Sequence, residues 1–179
     1  MTEADDRETL VKIARDAIVA EVTGARAGID VISVRDELGR RRGGVFVTIY
    51  CRGELRGCIG HIGDEKPLVR AVADCARSAA SADPRFPPIG ADEVDVIALE
   101  LSLLGAFEAV SGPSDIEVGR HGLLVEHKGR RGLLLPQVAT EWAWGAEMFL
   151  AQTCQKAGLP LDAWKNGAAL WRFEAEVFG

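Results

Sequence analysis

The sequence predicts an α+β fold in which antiparallel hairpins pack with helices. Two pairs of short strand-like runs, each joined by a tight turn, occur in the first and second halves of the chain. Amphipathic segments with a period near 3.6 residues lie before and between them. Because the strands come as hairpins rather than as strand–helix–strand units, we expect antiparallel pairing. A chain of 179 residues, 47% of them hydrophobic, can bury such a core without disulfides.

The first predicted elements are a helix and a hairpin. Apolar residues recur with helical spacing over Ala4–Val22, and Gly24 ends that segment. Residues 24–44 show weak periodicity and are predicted to form a loop or a frayed arm. Val45–Cys51 is rich in β-branched and aromatic residues, and Leu55–Ile62 is predicted to return beside it as the second strand.

The turn sets the predicted register of this first hairpin. With a two-residue turn at positions 53–54, Cys51 lies opposite Arg56, and Ile49 lies opposite Cys58. Arg56, Cys58 and Cys51 are then expected on one side of the hairpin.

The next stretch predicts a helix, a rigid loop and a strand. Pro67 suits the first turn of a helix with a face of small apolar residues, which ends near Asp83. Three prolines stiffen the loop Asp83–Pro88. In the strand Val94–Leu104, apolar residues alternate, so Glu100 is expected to point away from the leucine face.

The second half of the chain predicts another hairpin, a helix and a closing strand. The hairpin comprises Gly122–His127 and Arg131–Leu135, the helix runs over 140–158, and a half-buried strand follows at 171–177. No change in composition divides the chain, so we expect a single domain over residues 1–179.

Composition argues against several classes of protein. A net charge of −6 and a pI near 5.2 disfavour a protein that coats nucleic acid. No run approaches the roughly 18 consecutive apolar residues of a membrane span, and the acidic N-terminus is unlike a secretory signal. Four unevenly placed cysteines do not form the framework of a secreted disulfide-rich domain. We therefore expect a cytoplasmic protein with reduced thiols.

Sequence motifs for cofactors and metals are absent. The chain has no glycine pattern typical of phosphate binding and no Cys-x-x-Cys, His-x-x-His or His-Glu-x-x-His spacing. The sequence therefore predicts neither a nucleotide cofactor nor a metal site.

The sharpest local feature is the hexapeptide Leu-Arg-Gly-Cys-Ile-Gly at positions 55–60. Gly57 and Gly60 weaken a strand, so they indicate a bulge or the close approach of another backbone or a ligand. The guanidinium of Arg56 favours the thiolate of Cys58, which is the form that acts as a nucleophile or ligand. Alternatively, Cys58 is a small buried hydrophobic residue.

A cysteine nucleophile also needs a base. Among the three histidines, His121 is favoured because glycines near it on both sides permit an unusual turn. His61 is expected on the other side of the hairpin from Cys58, and His127 enters a basic turn. Glu100 is a further candidate, because a carboxylate buried in an apolar strand needs a partner, and that pair can belong to a site.

Other residues allow a functional or a structural interpretation. Trp142 and Trp144 form either a binding platform or, as large aromatics at the start of a helix, part of the core. Cys75 and Cys154 lie on predicted helix faces and are expected to be packing residues.

Five segments together resemble the AMMECR-domain family, called AmmeMemoRadiSam system protein A in prokaryotes. The match runs in order over roughly residues 44–178, and its segments are Leu55–Gly60, Asp83–Pro88, Glu100–Leu104, Leu134–Ala139 and Phe149–Pro160. The resemblance implies an α+β fold with a larger and a smaller lobe, and a cleft near the hexapeptide. The chain departs from the family pattern at His61, where a small hydroxyl residue is expected.

The resemblance also implies partners. Genes of this family often lie beside those of a Memo-like protein and a radical SAM protein, and a role in RNA modification has been proposed for the family. Its biochemical activity is not established.

Together these features give a hypothesis of a thiol-dependent cleft in a component of the AmmeMemoRadiSam system. Cys58 is the nucleophile or ligand for an unknown small molecule, Arg56 holds an anion, Glu100 orients Arg56, and His121 is a candidate base. The remaining residues expected to line the cleft are Gly57, Gly60, Asp83, Arg85 and Gln137.

Two alternatives stay open. One is a non-enzymatic module that docks on the Memo-like or radical SAM partner. The other is a factor related to RNA modification, which the acidic charge does not favour.

Overall fold

The structure, a computed structural model, describes residues 2–25 and 36–179. The chain forms two compact units, one comprising residues 1–104 and 176–179 and the other residues 105–175. Helices and antiparallel strands occur in both, which confirms the α+β class. The single domain over residues 1–179 stays a prediction.

The first unit contains three α-helices and three complete strands among its described residues. The helices are α1 (Ala4–Thr23), α2 (Asp36–Arg40) and α3 (Leu68–Ser81), and the strands are β1 (Val45–Cys51), β2 (Glu54–His61) and β3 (Ile97–Leu104). The strands are antiparallel in the order β2-β1-β3. The order places β2 outermost, where its outer edge needs hydrogen-bond partners.

One face of this sheet and the two long helices form the core of the first unit. Alternate residues of β1, beginning at Val45, and the leucines of β3 pack against α1 and α3. The buried face of α3 is rich in alanine, and such small side chains let a helix approach a sheet closely. Glu100 lies on the opposite face of β3 from these leucines, as the alternation predicts.

The register of the first hairpin differs from the prediction. The turn residues are Arg52 and Gly53, both with positive φ, which is the geometry of a tight two-residue hairpin turn. Cys58 lies opposite Thr48, and Arg56 is the extra residue of a bulge. The predicted pairs of Cys51 with Arg56 and of Ile49 with Cys58 were therefore wrong.

Two further predictions of local structure need correction. Residues 36–40, predicted as loop, form α2, whereas residues 26–35 of the same predicted loop lie outside the described residues. The predicted helix over 140–158 is two helices, α4 (Pro136–Glu141) and α5 (Ala146–Lys156). Between them Ala143 has φ +52°, a conformation that ends a helix.

The second unit contains α4, α5 and further antiparallel strands. Its strands are β4 (Glu108–Ala109), β5 (His121–His127), β6 (Arg130–Leu134) and β7 (Ala169–Phe178), of which β7 continues into the first unit at residue 176. β5 lies between β7 and β6, and β4 pairs with β7. The core centres on Leu123, Phe149 and Leu150, all fully buried.

No helix within residues 2–25 and 36–179 is both long and apolar enough to cross a bilayer.

Gly57 tests the packing of α3 on the sheet. A β-carbon at this position would lie 2.2 Å from the carbonyl oxygen of Ala79, so Gly57→Ala forces the helix away from β2. We expect a loss of about 2 kcal/mol in the free energy of unfolding, measured by urea denaturation.

Gly39→Ala in α2 is the matched control, because nothing lies within 4 Å of its added β-carbon. That variant should be neutral or slightly stabilising. Equal stability of the two variants would contradict the close approach of α3.

Candidate functional site

The outer edge of β2 is held by the loop that follows α3. The backbone N–H of Cys58 donates to Asp83 Oδ2 at 2.9 Å, and its carbonyl accepts from Arg85 Nη2 at 3.3 Å. A side-chain carboxylate and a guanidinium thus take the place of a neighbouring strand. The backbone of Cys58 is fixed on the outer edge as well as within the sheet.

Asp83 and Arg85 form a close ion pair at this edge. Arg85 donates from its backbone N–H and Nε to Asp83 Oδ1 at 3.1 and 3.0 Å, and from Nη2 to Oδ2 at 2.7 Å. The Asp83 side chain is only 2% exposed. The hydrogen bonds from the Arg85 side chain and, to a smaller extent, from backbone N–H groups hold the pKa of Asp83 far below its usual range, against the opposing effect of burial.

Arg56 makes a second clamp on the same loop. Its Nε and Nη2 donate to the two carboxylate oxygens of Glu93 at 2.7 and 2.9 Å, and its Nη1 and Nη2 donate to the carbonyls of Pro87 and Pro88 at 2.7 and 3.1 Å. The hydrogen bond to Glu93 raises the pKa of Arg56, and the same bond lowers that of Glu93. The carboxylate that orients Arg56 is therefore Glu93, where we predicted Glu100.

The thiol of Cys58 receives its own hydrogen bond. The hydroxyl of Thr48, a buried residue, donates to Cys58 Sγ at 3.4 Å. Arg85 donates to the carbonyl of the same residue, and interaction with Cys58 is among the smaller causes that raise the pKa of Arg85. The guanidinium that contacts Cys58 is thus that of Arg85, whereas Arg56, which the sequence suggested, binds Glu93 and the loop.

Glu100 shares a sheet face with this thiol. Thr48 lies directly opposite Cys58 on one side and Glu100 on the other, so the three residues form a row across β2, β1 and β3. Two strand spacings separate the Cα atoms of Cys58 and Glu100 by about 10 Å. We call Cys58, Thr48 and Glu100 the thiol row.

A buried hydroxyl lies next to the thiol row. Ser102, two residues beyond Glu100 on β3, is on the same face and is fully buried. Its Oγ is one of the few buried polar side-chain atoms among the described residues without a hydrogen-bond partner. Such an atom marks a place where a ligand or water can bind.

The two glycines of the hexapeptide have packing roles. Gly57 lies under α3, and a β-carbon at Gly60 would come within 2.3 Å of the Phe46 ring. The close approach that the sequence predicted is therefore made by a helix and an aromatic ring of the chain itself.

The remaining cysteines differ from Cys58. Burial raises the pKa of Cys75 to about 11 and also raises that of Cys154. Cys51 is half-buried like Cys58. It is therefore the natural comparison for the reactivity of Cys58.

His121 lies in the second unit and lines an open cavity there of about 460 Å³. Its side chain is buried, and its Nδ1 accepts the backbone N–H of Glu117 at 2.9 Å, which fixes the neutral tautomer with the proton on Nε2. Burial, with the nearby cations Arg172 and Arg120, lowers its pKa. Gln137 is in α4 of the same unit.

A family model described as AMMECR1 matches residues 11–178. The chain belongs to the AMMECR1 family. A protein of Methanothermobacter thermautotrophicus is 47% identical over an alignment of 181 positions that covers 97% of this chain and 94% of the relative. A protein of Methanosarcina acetivorans is 42% identical over an alignment of 189 positions that covers 99% of this chain and 92% of the relative.

A solved structure supports the fold. The crystal structure of an uncharacterized protein from Pyrococcus horikoshii matches with a TM-score of 0.90 and 39% identity, over 98% of this chain and 91% of that one. The α+β fold of this AMMECR1-family chain is therefore shared with its relatives.

Within this fold, the predicted site residues fall into two groups. Cys58, Asp83 and Arg85 contact one another in the first unit, and Glu100 shares the face of the thiol row. His121 and Gln137 belong to the second unit. The involvement of any of them in chemistry stays a prediction.

Sequence reasoning missed two residues of this region. Thr48 carried a weak signal, as a hydroxyl between valine and isoleucine in an apolar strand. Glu93 carried none, because nothing in its local sequence marks it as the partner of a residue 37 positions earlier.

His61 lies opposite Val45, on the other sheet face from Cys58, as expected. Its Nε2 is 3.0 Å from Glu65 Oε2.

The described residues contain no cluster of three or more histidine, cysteine, aspartate or glutamate side chains arranged to hold a metal ion.

Asp83→Asn tests the clamp on β2. The substitution removes the charge that pairs with Arg85, and we expect the free energy of unfolding at pH 7 to fall by about 2 kcal/mol. Because the pKa of Asp83 is lowered by folding, its stabilisation is complete above the unfolded value near 3.9 and is lost as the pH falls below it.

Urea denaturation at pH 7, 5 and 3 measures this difference, which should be constant down to pH 5 and smaller at pH 3. Asp95→Asn, at an exposed position, is the control and should change stability by less than about 0.5 kcal/mol. A difference between Asp83→Asn and the wild type that persists unchanged at pH 3 would exclude the carboxylate as its source.

Proposed function

We propose that this AMMECR1-family protein is a component of the AmmeMemoRadiSam system whose reactive group is Cys58. In this proposal Cys58 acts as a nucleophile on an electrophilic small molecule. The observation that carries the proposal is the fixed position of this half-buried thiol, held through its N–H, its carbonyl and its sulfur. Pre-organisation of this kind is what a reactive side chain requires.

The neighbours of the sulfur support thiolate chemistry. The Thr48 hydroxyl donates to it, and the Arg85 guanidinium donates to the carbonyl of the same residue. A hydrogen-bond donor and a cation both stabilise a thiolate relative to a thiol. Cys75 and Cys154 are buried, and burial raises the pKa of each thiol, so they fit a packing role.

The proposed step uses the thiol row. Cys58 gives its proton to solvent, and the thiolate electron pair forms a bond to a carbonyl carbon of the substrate while the C=O π bond breaks and its electron pair moves onto the carbonyl oxygen, which takes a proton from solvent. Thr48 and Arg85 stabilise the negative charge before that bond forms.

Alkylation with iodoacetamide at low reagent excess tests the proposal. Mass spectrometry of the folded protein should give a rate for Cys58 about tenfold above that of Cys51, with Cys75 and Cys154 slower still. Thr48→Val should slow Cys58 about fivefold because the hydroxyl donor is lost, whereas Thr48→Ser should retain the rate.

Both variants are compared by urea denaturation, so that a loss of folding is distinguished from a loss of reactivity. Labelling of Cys58 at or below the rate of Cys51 would contradict the thiolate proposal. An unchanged alkylation rate of Cys58 in Thr48→Val would show that Thr48 does not contribute to the reactivity of the thiol.

One observation favours a second function, a module that docks on a Memo-like or radical SAM partner. Arg56 and Asp83, both prominent in the family-like motifs, direct their hydrogen bonds to the segment 83–93 and to the backbone of β2. These bonds make a rigid, exposed loop in which Pro84, Pro87 and Pro88 face solvent. A rigid exposed loop binds a partner at low entropic cost.

Co-purification with the Memo-like protein separates the two functions. Cys58→Ser leaves the loop intact, whereas Arg56→Gln weakens its attachment. A complex that survives Cys58→Ser and is lost in Arg56→Gln favours docking. Loss of pathway function in Cys58→Ser, with folding and binding intact, favours chemistry.

A further inference from the structure

Two tryptophan rings are stacked on the surface of the second unit. The ring centroids of Trp142 and Trp144 are 5.9 Å apart, with an interplanar angle of 16°. Trp142 is 67% exposed, which is unusual for so large an apolar side chain. The sequence allows two interpretations of this pair, a binding platform or part of the core. The structure gives the two rings different roles.

Trp144 is the inner ring and is fixed by the core. It precedes Gly145, the residue that caps α5, and packs in the same cluster as Phe149, which is the pattern of a hydrophobic staple. Its backbone N–H donates to the carbonyl of Ala139 at 2.8 Å. Trp144 therefore provides a rigid support for the ring stacked on it.

Trp142 is the outer ring, and the local backbone holds it in place. The backbone N–H of Trp142 donates to the carbonyl of Val138 at 3.2 Å, and the next residue, Ala143, has φ +52°. An alanine in the left-handed region is strained, and such strain is often retained where function requires it. The turn thus keeps an indole on the surface that the core does not use.

The segment that carries these rings is apolar and acidic in sequence. Met148 is 49% exposed and receives a weak hydrogen bond from Gln152 at 3.7 Å. Between residues 132 and 155 the chain has no lysine, arginine or histidine, and its only charged residues are Glu141 and Glu147, both exposed. We call Trp142, Trp144 and Met148, with these two glutamates, the tryptophan patch.

We propose that the tryptophan patch binds an arginine-bearing basic segment of a partner protein. A guanidinium stacks on the face of an indole, and tryptophan is the best aromatic partner for a cation. The two glutamates add charge complementarity to such a segment and repel nucleic acid and anionic membranes. Exposed aromatic residues supported by a rigid neighbour are typical of the residues that dominate protein interfaces.

This surface belongs to the second unit and does not depend on the thiol of Cys58. The inference therefore stands or falls separately from the proposed thiol chemistry.

Binding of a fluorescently labelled tetra-arginine peptide, followed by anisotropy at low salt, tests the proposal. Tetra-lysine and tetra-glutamate peptides are the comparisons. We expect tetra-arginine to bind most tightly and tetra-glutamate not to bind. Trp142→Ala should weaken binding about tenfold, and Trp142→Tyr should retain part of it.

Matched variants separate the patch from the general acidity of the chain. Glu141→Gln with Glu147→Gln should weaken binding, whereas Glu8→Gln with Glu21→Gln, at exposed positions in α1, should not. Leu161→Ala, which removes another exposed apolar side chain of the second unit, is the control for Trp142→Ala. Thermal unfolding of each variant checks that the fold is retained.

Three outcomes would overturn the proposal. The first is equal affinity of Trp142→Ala and the wild type for tetra-arginine. The second is a dimer, seen by sedimentation velocity, that Trp142→Ala dissociates, because the occupant would then be a second copy of the chain. The third is binding to phosphatidylserine vesicles that Trp142→Ala abolishes.

Discussion

The carboxylate of Asp83 is the constraint on which the first unit depends most. It lies at the end of α3, accepts the N–H of Cys58 on the outer edge of β2, and orients Arg85, which returns to the carbonyl of the same residue. One buried charge thus joins a helix end, a loop and an outer strand. Removing Arg85 leaves the Asp83 carboxylate, which is only 2% exposed, without its cation.

Arg56 repeats this arrangement a short distance along β2. Because the bulge removes Arg56 from the regular ladder, its guanidinium can bind Glu93 and two proline carbonyls beyond the edge of the sheet. A bulge commonly redirects a side chain in this way. The charged residues of the hexapeptide region and of the loop therefore position the strand that carries Cys58.

Local sequence pattern predicted the features that depend on neighbouring residues. Alternation placed Glu100 on the face away from the leucines of β3, and the two glycines indicated a close approach at β2. It failed where the answer depended on distant residues. The partner of Arg56 is decided by the path of a loop 37 residues later, and neither periodicity nor composition encodes that path. The predicted hairpin register was wrong because Arg52 adopts a left-handed conformation, which is uncommon for a residue other than glycine.

In both units a glycine in a hairpin strand lets a helix pack closely against that hairpin. Gly57 on β2 lies under the carbonyl of Ala79 in α3, and Gly132 on β6 lies under Ala157 at the end of α5. In each case a side chain at the glycine would collide with helix backbone, which cannot move as a flexible side chain can. The glycines therefore fix how closely the helix approaches the sheet. In the first unit that distance also positions the end of α3 relative to β2, and hence Asp83 relative to Cys58. The packing at Gly57 and the position of Cys58 therefore depend on each other. A substitution at Gly57 should shift the thiol row even though Gly57 is not one of its residues.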